Sequence, residues 1–217
     1  MTSKKEDLLS HLEPMNQSEL SDMVKAVVAG YQCDEKIARG LIDSSNGRIR
    51  AAAYSALVRM DRISKIDIIR ALADPAIEVR LFGANEAIRH PGVNLVECLE
   101  AEKDLIVLEA IVFALGERGD PSCAEIISKI AIEHPDPLCR EAAIAALANF
   151  SLEESLSLFL QAMSDKAPIR RRVAIALAGY DSERATQGLR TLSKDRDWQT
   201  ATIARELLAI EDGTIAE

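Results

Sequence analysis

The residues of this 217-residue chain that could carry chemistry are few, and their spacing decides what they could do. There are three histidines, His11, His90 and His134. Two stand directly before a proline, where an imidazole ends a helix in favourable register with its dipole. None has a cysteine, histidine or carboxylate three or four residues on in the manner of a helical metal site, turn aspartates aside, so no metal is expected. Cys33, Cys98, Cys123 and Cys139 form no C-x-x-C pair. Their apolar neighbours suggest buried thiols in a reducing compartment rather than a disulfide framework. The ten glycines are scattered, with no phosphate-cradling loop and no G-x-S-x-G. The carboxylate pairs Glu153/Glu154 and Asp195/Asp197 fall at expected caps and turns, where they read as solvated. The sequence therefore assigns no catalytic residue, no metal and no cofactor.

One basic cluster stands out: Arg170-Arg171-Arg172, with Lys166, Arg184, Arg190, Lys194 and Arg196 around it. On a helix three consecutive arginines splay over about 200° and cannot form a flat phosphate platform. With one tryptophan and a net charge of −9, the chain argues against nucleic acid as a partner. The acidity is uneven: residues 165–217 hold equal numbers of Lys+Arg and Asp+Glu, so the deficit lies in the first 164.

These residues sit within a repeat. The stretch DPLCREAAIAALANF (136–150) has counterparts in SSNGRIRAAAYSAL (44–57), DPAIEVRLFGANEA (74–87), DLIVLEAIVFAL (104–115) and KAPIRRRVAIAL (166–177). Taking Ile49, Val79, Val107, Cys139 and Ile169 as markers gives spacings of 30, 28, 32 and 30 residues. Leucine follows eight residues later at 57, 115, 147 and 177, while the second copy has Ala87 there. A helical period near 30 predicts an all-α solenoid, a superhelix of antiparallel helix pairs.

Helix signals support the pairs. Ser18 is expected to cap a helix that Gly30 stops, and Asp34 opens a short one. Ser64 with Asp67 opens 65–73, and Asp74-Pro75 starts 75–89. Helices are further expected over 48–60, 93–102, 104–116, 121–133, 137–149, 167–179, 182–193 and 197–210. Ser151 with Glu154 reads as a capping box for 152–163. Trp198, at the start of the last helix, is expected to cover the open end of the core. Domain organisation follows as one solenoid over 1–217: capping helices in 1–42, repeats in 43–196, a capping helix at 197–210 and a tail at 211–217.

At 100° per residue, positions 0, 4, 7, 8 and 11 from each marker share the packed side. Position 1 is the edge, held by Arg50, Arg80, Arg140 and Arg170. With Asp74, Asp136 and Asp165 near the turns, these predict a structural Arg–Asp ladder. Positions 2, 6 and 9 oppose the packed side and would line a concave stripe. There the chain puts Leu81, Asn85, Glu109, Phe113, Glu141, Ala145, Arg171 and Ile175, many of them apolar or small where a solvated face would carry Lys and Glu. Two readings fit the stripe: tight curvature that buries these positions against adjacent repeats, or a shallow groove for a protein or peptide, with Glu109, Glu141 and Arg171 giving it polarity and Phe113 as anchor.

The D-P-x-x-x-V-R-x-x-A-x-x-A-L pattern over 43–210 resembles the HEAT-like repeats named after phycobilisome lyases, although Leu108 takes the arginine place in the third copy. The resemblance implies an α-solenoid. It also implies two kinds of relative: scaffolds without chemistry of their own, and chromophore lyase subunits that hold an open-chain tetrapyrrole. Some DNA-lesion-binding proteins are built of similar repeats, with a basic concave surface and aromatic side chains. The first reading, a non-catalytic scaffold, fits these residues most directly. No apolar run approaches the roughly 20 residues of a membrane span or opens the chain as a signal peptide would, so a cytoplasmic protein is expected.

Overall fold

The computed structural model describes residues 14–211. Any helical turns before Pro14 and the tail beyond 211 lie outside the described residues. The described chain is all-α, with no strand: α1 (Gln17–Gln32), α2 (Glu35–Leu41), α3 (Gly47–Arg59), α4 (Lys65–Leu72), α5 (Ile77–Glu86), α6 (Leu95–Ala101), α7 (Leu105–Arg118), α8 (Ala124–Glu133), α9 (Pro137–Phe150), α10 (Ser155–Ala162), α11 (Ala167–Leu177), α12 (Glu183–Leu192) and α13 (Trp198–Glu211). Marker helices (α3, α5, α7, α9, α11) alternate with shorter partners, the helix-pair solenoid that the repeat predicts.

Packing divides the chain into two compact units, one through Gly83 and the other from Ala84. In the first, α1 lies along α3, and α2 packs on both. Its core joins Ala26, Ala29, Ala38, Tyr54, Leu57 and Val79. The Tyr54 and Phe82 rings stack at 5.6 Å. In the second unit α7, α9, α11 and α13 lie side by side, while α8 packs on α9, α10 on α11, and α12 on α11 and α13. A layer of marker helices thus stands against a layer of partners. Such stacks draw their stability from neighbour-to-neighbour burial, since a short helix alone is marginal in water.

The repeat register is set by burial. Ile49 is 1 % exposed, and Val79, Val107, Cys139 and Ile169 are 0 %. Leu57, Leu147 and Leu177, eight residues after their markers, are also at 0 %. The packed face is wider than the spacing predicts, because position 5 is buried too, as Tyr54, Val112, Ile144 and Ala174. A helix flanked by two marker neighbours and covered by a partner must bury more than one stripe. Small residues let those neighbours close in. A methyl at Gly116 on α7 would stand 2.7 Å from Cα of Ala146 on α9.

Several local expectations are corrected. Helix α1 is capped by Asn16, not Ser18: Asn16 accepts from the Glu19 N–H at 3.0 Å, and the Glu19 carboxylate accepts from the Asn16 N–H at 2.8 Å. Gly30 does not stop it, because Gly30 is where α1 meets Ala56 of α3; the stop is Cys33, in the left-handed region at φ 57°. That cysteine is exposed, whereas Cys123 and Cys139 are buried as expected and all four are free thiols. No Ser151–Glu154 box forms. The buried Phe150 extends α9, Ser151 becomes its left-handed cap at φ 51°, and Glu154 makes no capping bond. Residues 87–89 and 121–123 are 3-10 turns rather than α-helix. Trp198 covers no core: it is 71 % exposed, because Thr200, Ala201 and Ala204 supply the buried face of α13.

Candidate functional site

The position-1 arginines share one geometry. Arg50 places Nε and Nη2 on the two Asp74 carboxylate oxygens at 2.9 and 2.5 Å, and Nη1 donates to the Ser44 and Ser45 carbonyls. Arg140 holds Asp165 at 2.7 and 2.8 Å and donates to the carbonyls of His134 and Pro135. Arg170 holds Asp195 at 2.7 and 2.6 Å and donates to the Asp165 carbonyl. Arg80 donates to the carbonyls of Asp74 and Pro75. Each arginine therefore ties the turn before its own helix, and Arg50, Arg140 and Arg170 are seen to grip a carboxylate in the next turn as well. The forked guanidinium suits this because it presents two parallel N–H groups to a carboxylate while a third reaches back.

The aspartates serve the helices as well. Asp74 accepts from the Ala76 N–H at 2.8 Å, and Asp136 caps α9 through the Leu138 N–H at 2.8 Å. The arginine hydrogen bonds hold Asp165 and Asp195 below the usual carboxylate range. Asp195 is thus a rung, not a solvated turn residue; sequence reading missed it because it lies in the last, weakest copy. Asp197 is also engaged, accepting from the Thr200 N–H and hydroxyl, which hold its pKa down. In the third repeat Leu108 fills the arginine place. At the other end of α7, half-buried Arg118 donates to the carbonyls of Ala87, His90 and Val93, and burial lowers its pKa.

The arginine triplet is spent in the same way. Arg170 pairs with Asp195, Arg171 with Asp197 at 3.2 Å and Arg172 with Glu141 at 3.3 Å. Glu141 and Arg171, expected to give the stripe its polarity, are therefore bound within the marker layer. Among the described residues no three His, Cys, Asp or Glu side chains converge as metal ligands. Burial pushes the Cys98 and Cys123 thiols up, away from the thiolate that nucleophilic chemistry needs.

The stripe positions divide between the units. In the first, Ala51, Val58 and Leu81 are half-buried and Ser55 is exposed. In the second, Asn85 is exposed, Glu109, Glu141, Ala145 and Arg171 are half-buried, and Phe113 and Ile175 are each 49 % exposed. Position 9 of α7 is no part of a surface, since Gly116 is buried against Ala146. Phe113, Ala145 and Ile175 occupy position 6 on three successive marker helices. The half-buried Ala145 thus stands on the helix between those that carry the two exposed large side chains.

Two residues extend this face beyond the sequence expectation. Thr200, 0 % exposed, takes the marker's place in α13, which puts Trp198 two residues before it. Leu105, 36 % exposed, stands two residues before Val107 on α7. The only available signal was the register of the last helix, which has no Arg or Asp-Pro to mark it. The first unit has a different exposed apolar surface, a stripe of Leu20, Val24, Val27 and Tyr31 along α1.

Comparison with known proteins agrees with this architecture. A family model of HEAT repeats matches residues 93–178. The X-ray structure of YibA from Escherichia coli is similar in fold, with a TM-score of 0.59 at 16 % identity, covering 94 % of this chain and 79 % of that one. No curated protein sequence matches the chain.

Proposed function

We propose that this chain, a HEAT-like repeat protein, is a scaffold that binds a protein or peptide partner on the exposed face of its marker helices. The observation that carries this reading is the placement of exposed apolar side chains in the second unit. Among its described residues Leu105, Phe113, Ile175, Trp198 and Ile210 are the exposed large hydrophobics, and all five lie on marker-layer helices, none on the partner helices α6, α8, α10 or α12. Single exposed apolar residues are ordinary, but several confined to one layer mark an interaction surface. With the arginine triplet paired to carboxylates, the face is not an electrostatic bed for nucleic acid.

Phe113→Ala tests the reading. Because the ring is half exposed, the variant should melt within a few degrees of the wild type. It should lose about 2 kcal/mol of affinity for a partner recovered by pull-down from the native cell. A severe loss of stability with recovery unchanged would place Phe113 in the core and remove the face. An absorbance shift on adding an open-chain tetrapyrrole, abolished in the same variant, would replace a protein partner with a chromophore.

A further inference from the structure

The second unit's marker face ends at the N-terminal turns of α11 and α13, and here charge as well as apolar surface is uncommitted. Contact between the two turns is direct: Arg171 of α11 reaches Asp197, the residue before Trp198. Each turn carboxylate already has its arginine, Asp165 with Arg140, Asp195 with Arg170 and Asp197 with Arg171. Three further cations occupy the same turns, Lys166, Lys194 and Arg196, all exposed. None of them makes a salt bridge among the described residues, as the carboxylates they adjoin are held at 2.6–3.2 Å by other groups. Beside them the chain's single tryptophan is 71 % exposed, and Ile175 is 49 % exposed two turns along α11.

This edge differs in sign from the rest of an acidic chain. The 165–217 segment is neutral overall, while the residues before it carry the −9. Once the ladder pairs have cancelled, the turns of α11 and α13 are locally cationic. An exposed indole in the same turns as cations that make no salt bridge among the described residues attracts a ligand with carboxylates around an apolar side chain. A polyphosphate backbone would meet the same cations, but the acidic remainder of the chain would repel it over its length.

We propose that the turns of α11 and α13 recognise an acidic peptide segment with a central bulky apolar side chain. In this arrangement Trp198 seats that side chain, and Lys166, Lys194 and Arg196 pair with the flanking carboxylates. The proposal rests on the marker face being a peptide-binding surface, and it adds the chemistry of the peptide and the place of its anchor.

The single tryptophan makes the test direct, since its emission reports on Trp198 alone. The full chain is titrated with three probes: a Trp-free peptide of Glu and Asp flanking Leu-Phe-Leu, the same peptide with Lys in place of the acids, and an oligothymidylate of matching length. The expected result is a shift in Trp198 emission with the acidic peptide, weakened by added salt and absent with the lysine peptide. Neutralising the edge by Lys166→Gln, Lys194→Gln and Arg196→Gln together should weaken binding about tenfold or more, and Trp198→Ala, followed by anisotropy of a labelled peptide, should do the same. Both variants alter exposed side chains, and unchanged melting temperatures confirm that they fold. Failure of the acidic peptide to bind overturns the proposal, as does equal binding of the lysine peptide. Binding of oligothymidylate in its place would assign the edge to nucleic acid. Peptide binding lost in Phe113→Ala but untouched by the Gln and Trp198 variants would sink this proposal while leaving the marker face standing.

Discussion

An arginine in the ladder does the work of two fasteners, and its removal should cost more than its charge suggests. Arg170 and Asp195 have side chains 6 % and 11 % exposed, so Arg170→Ala strands a half-buried carboxylate and an unserved carbonyl. A loss of about 3–5 kcal/mol is expected, the range for breaking a buried pair from one side. Arg172, 50 % exposed on its pair with Glu141, is the internal control and should cost no more than about 1 kcal/mol. Urea melts of the two variants check the ranking. Acid should act on the same rungs. Because the arginines lower the folded pKa of Asp165 and Asp195, the unfolded chain takes up their protons first as pH falls. Their contribution is full above the unfolded value of about 3.9 and disappears as pH drops through the lower folded value. Asp195→Asn should flatten that part of the stability–pH curve, measured by urea midpoints across the acid range.

At the scale of elements, the contact between α7 and α9 depends on missing atoms. Any side chain at Gly116 would meet Ala146 backbone and methyl at 2.7 Å, a distance that neither rigid helix can relieve by a rotamer change. Gly116→Ala should therefore destabilise by about 1–3 kcal/mol, although alanine is the better helix former. A melting temperature raised by the substitution would show that the helices can part without penalty. The same contact explains why position 9 is buried on α7 but half-buried on α9 and α11, as Ala148 and Ala178. The second helix-scale lesson is α9 and α10. The Ser151–Glu154 spacing fits a capping box, but burying Phe150 extends α9 by one residue and turns the serine into a stop.

For the whole molecule, nearest-neighbour packing limits how far a defect travels. Leu147 is 0 % exposed in the central repeat, and Leu147→Ala should cost about 2–5 kcal/mol. Amide exchange should speed up in α7 to α11, while α1 to α3, which belong to the other compact unit, keep their protection. Uniform loss of protection over the whole chain would contradict a stack of nearest-neighbour repeats. Among the described residues no helix is long and apolar enough to cross a membrane.

The sequence by itself determined the all-α class, the repeat period and the buried registers. Those follow from local chemistry: markers near 30 residues apart, Asp-Pro starts, and a leucine eight residues beyond most markers. Several caps were legible for the same reason, since Asp34, Ser64 and Asp74 each bond a backbone N–H within three residues. What tertiary structure alone decided was where neighbouring copies meet. The partner of Arg170 is Asp195, 25 residues away in a turn whose repeat carries no recognisable motif. Trp198 lost its expected place over the core because Thr200, Ala201 and Ala204 fill the buried face of α13. Gly30 reads as a stop in one dimension and is a contact in three. Arg170 meets Asp195 in a later turn and Gly30 meets Ala56 on another helix, and the distance between two packed elements is not written in the spacing along either one.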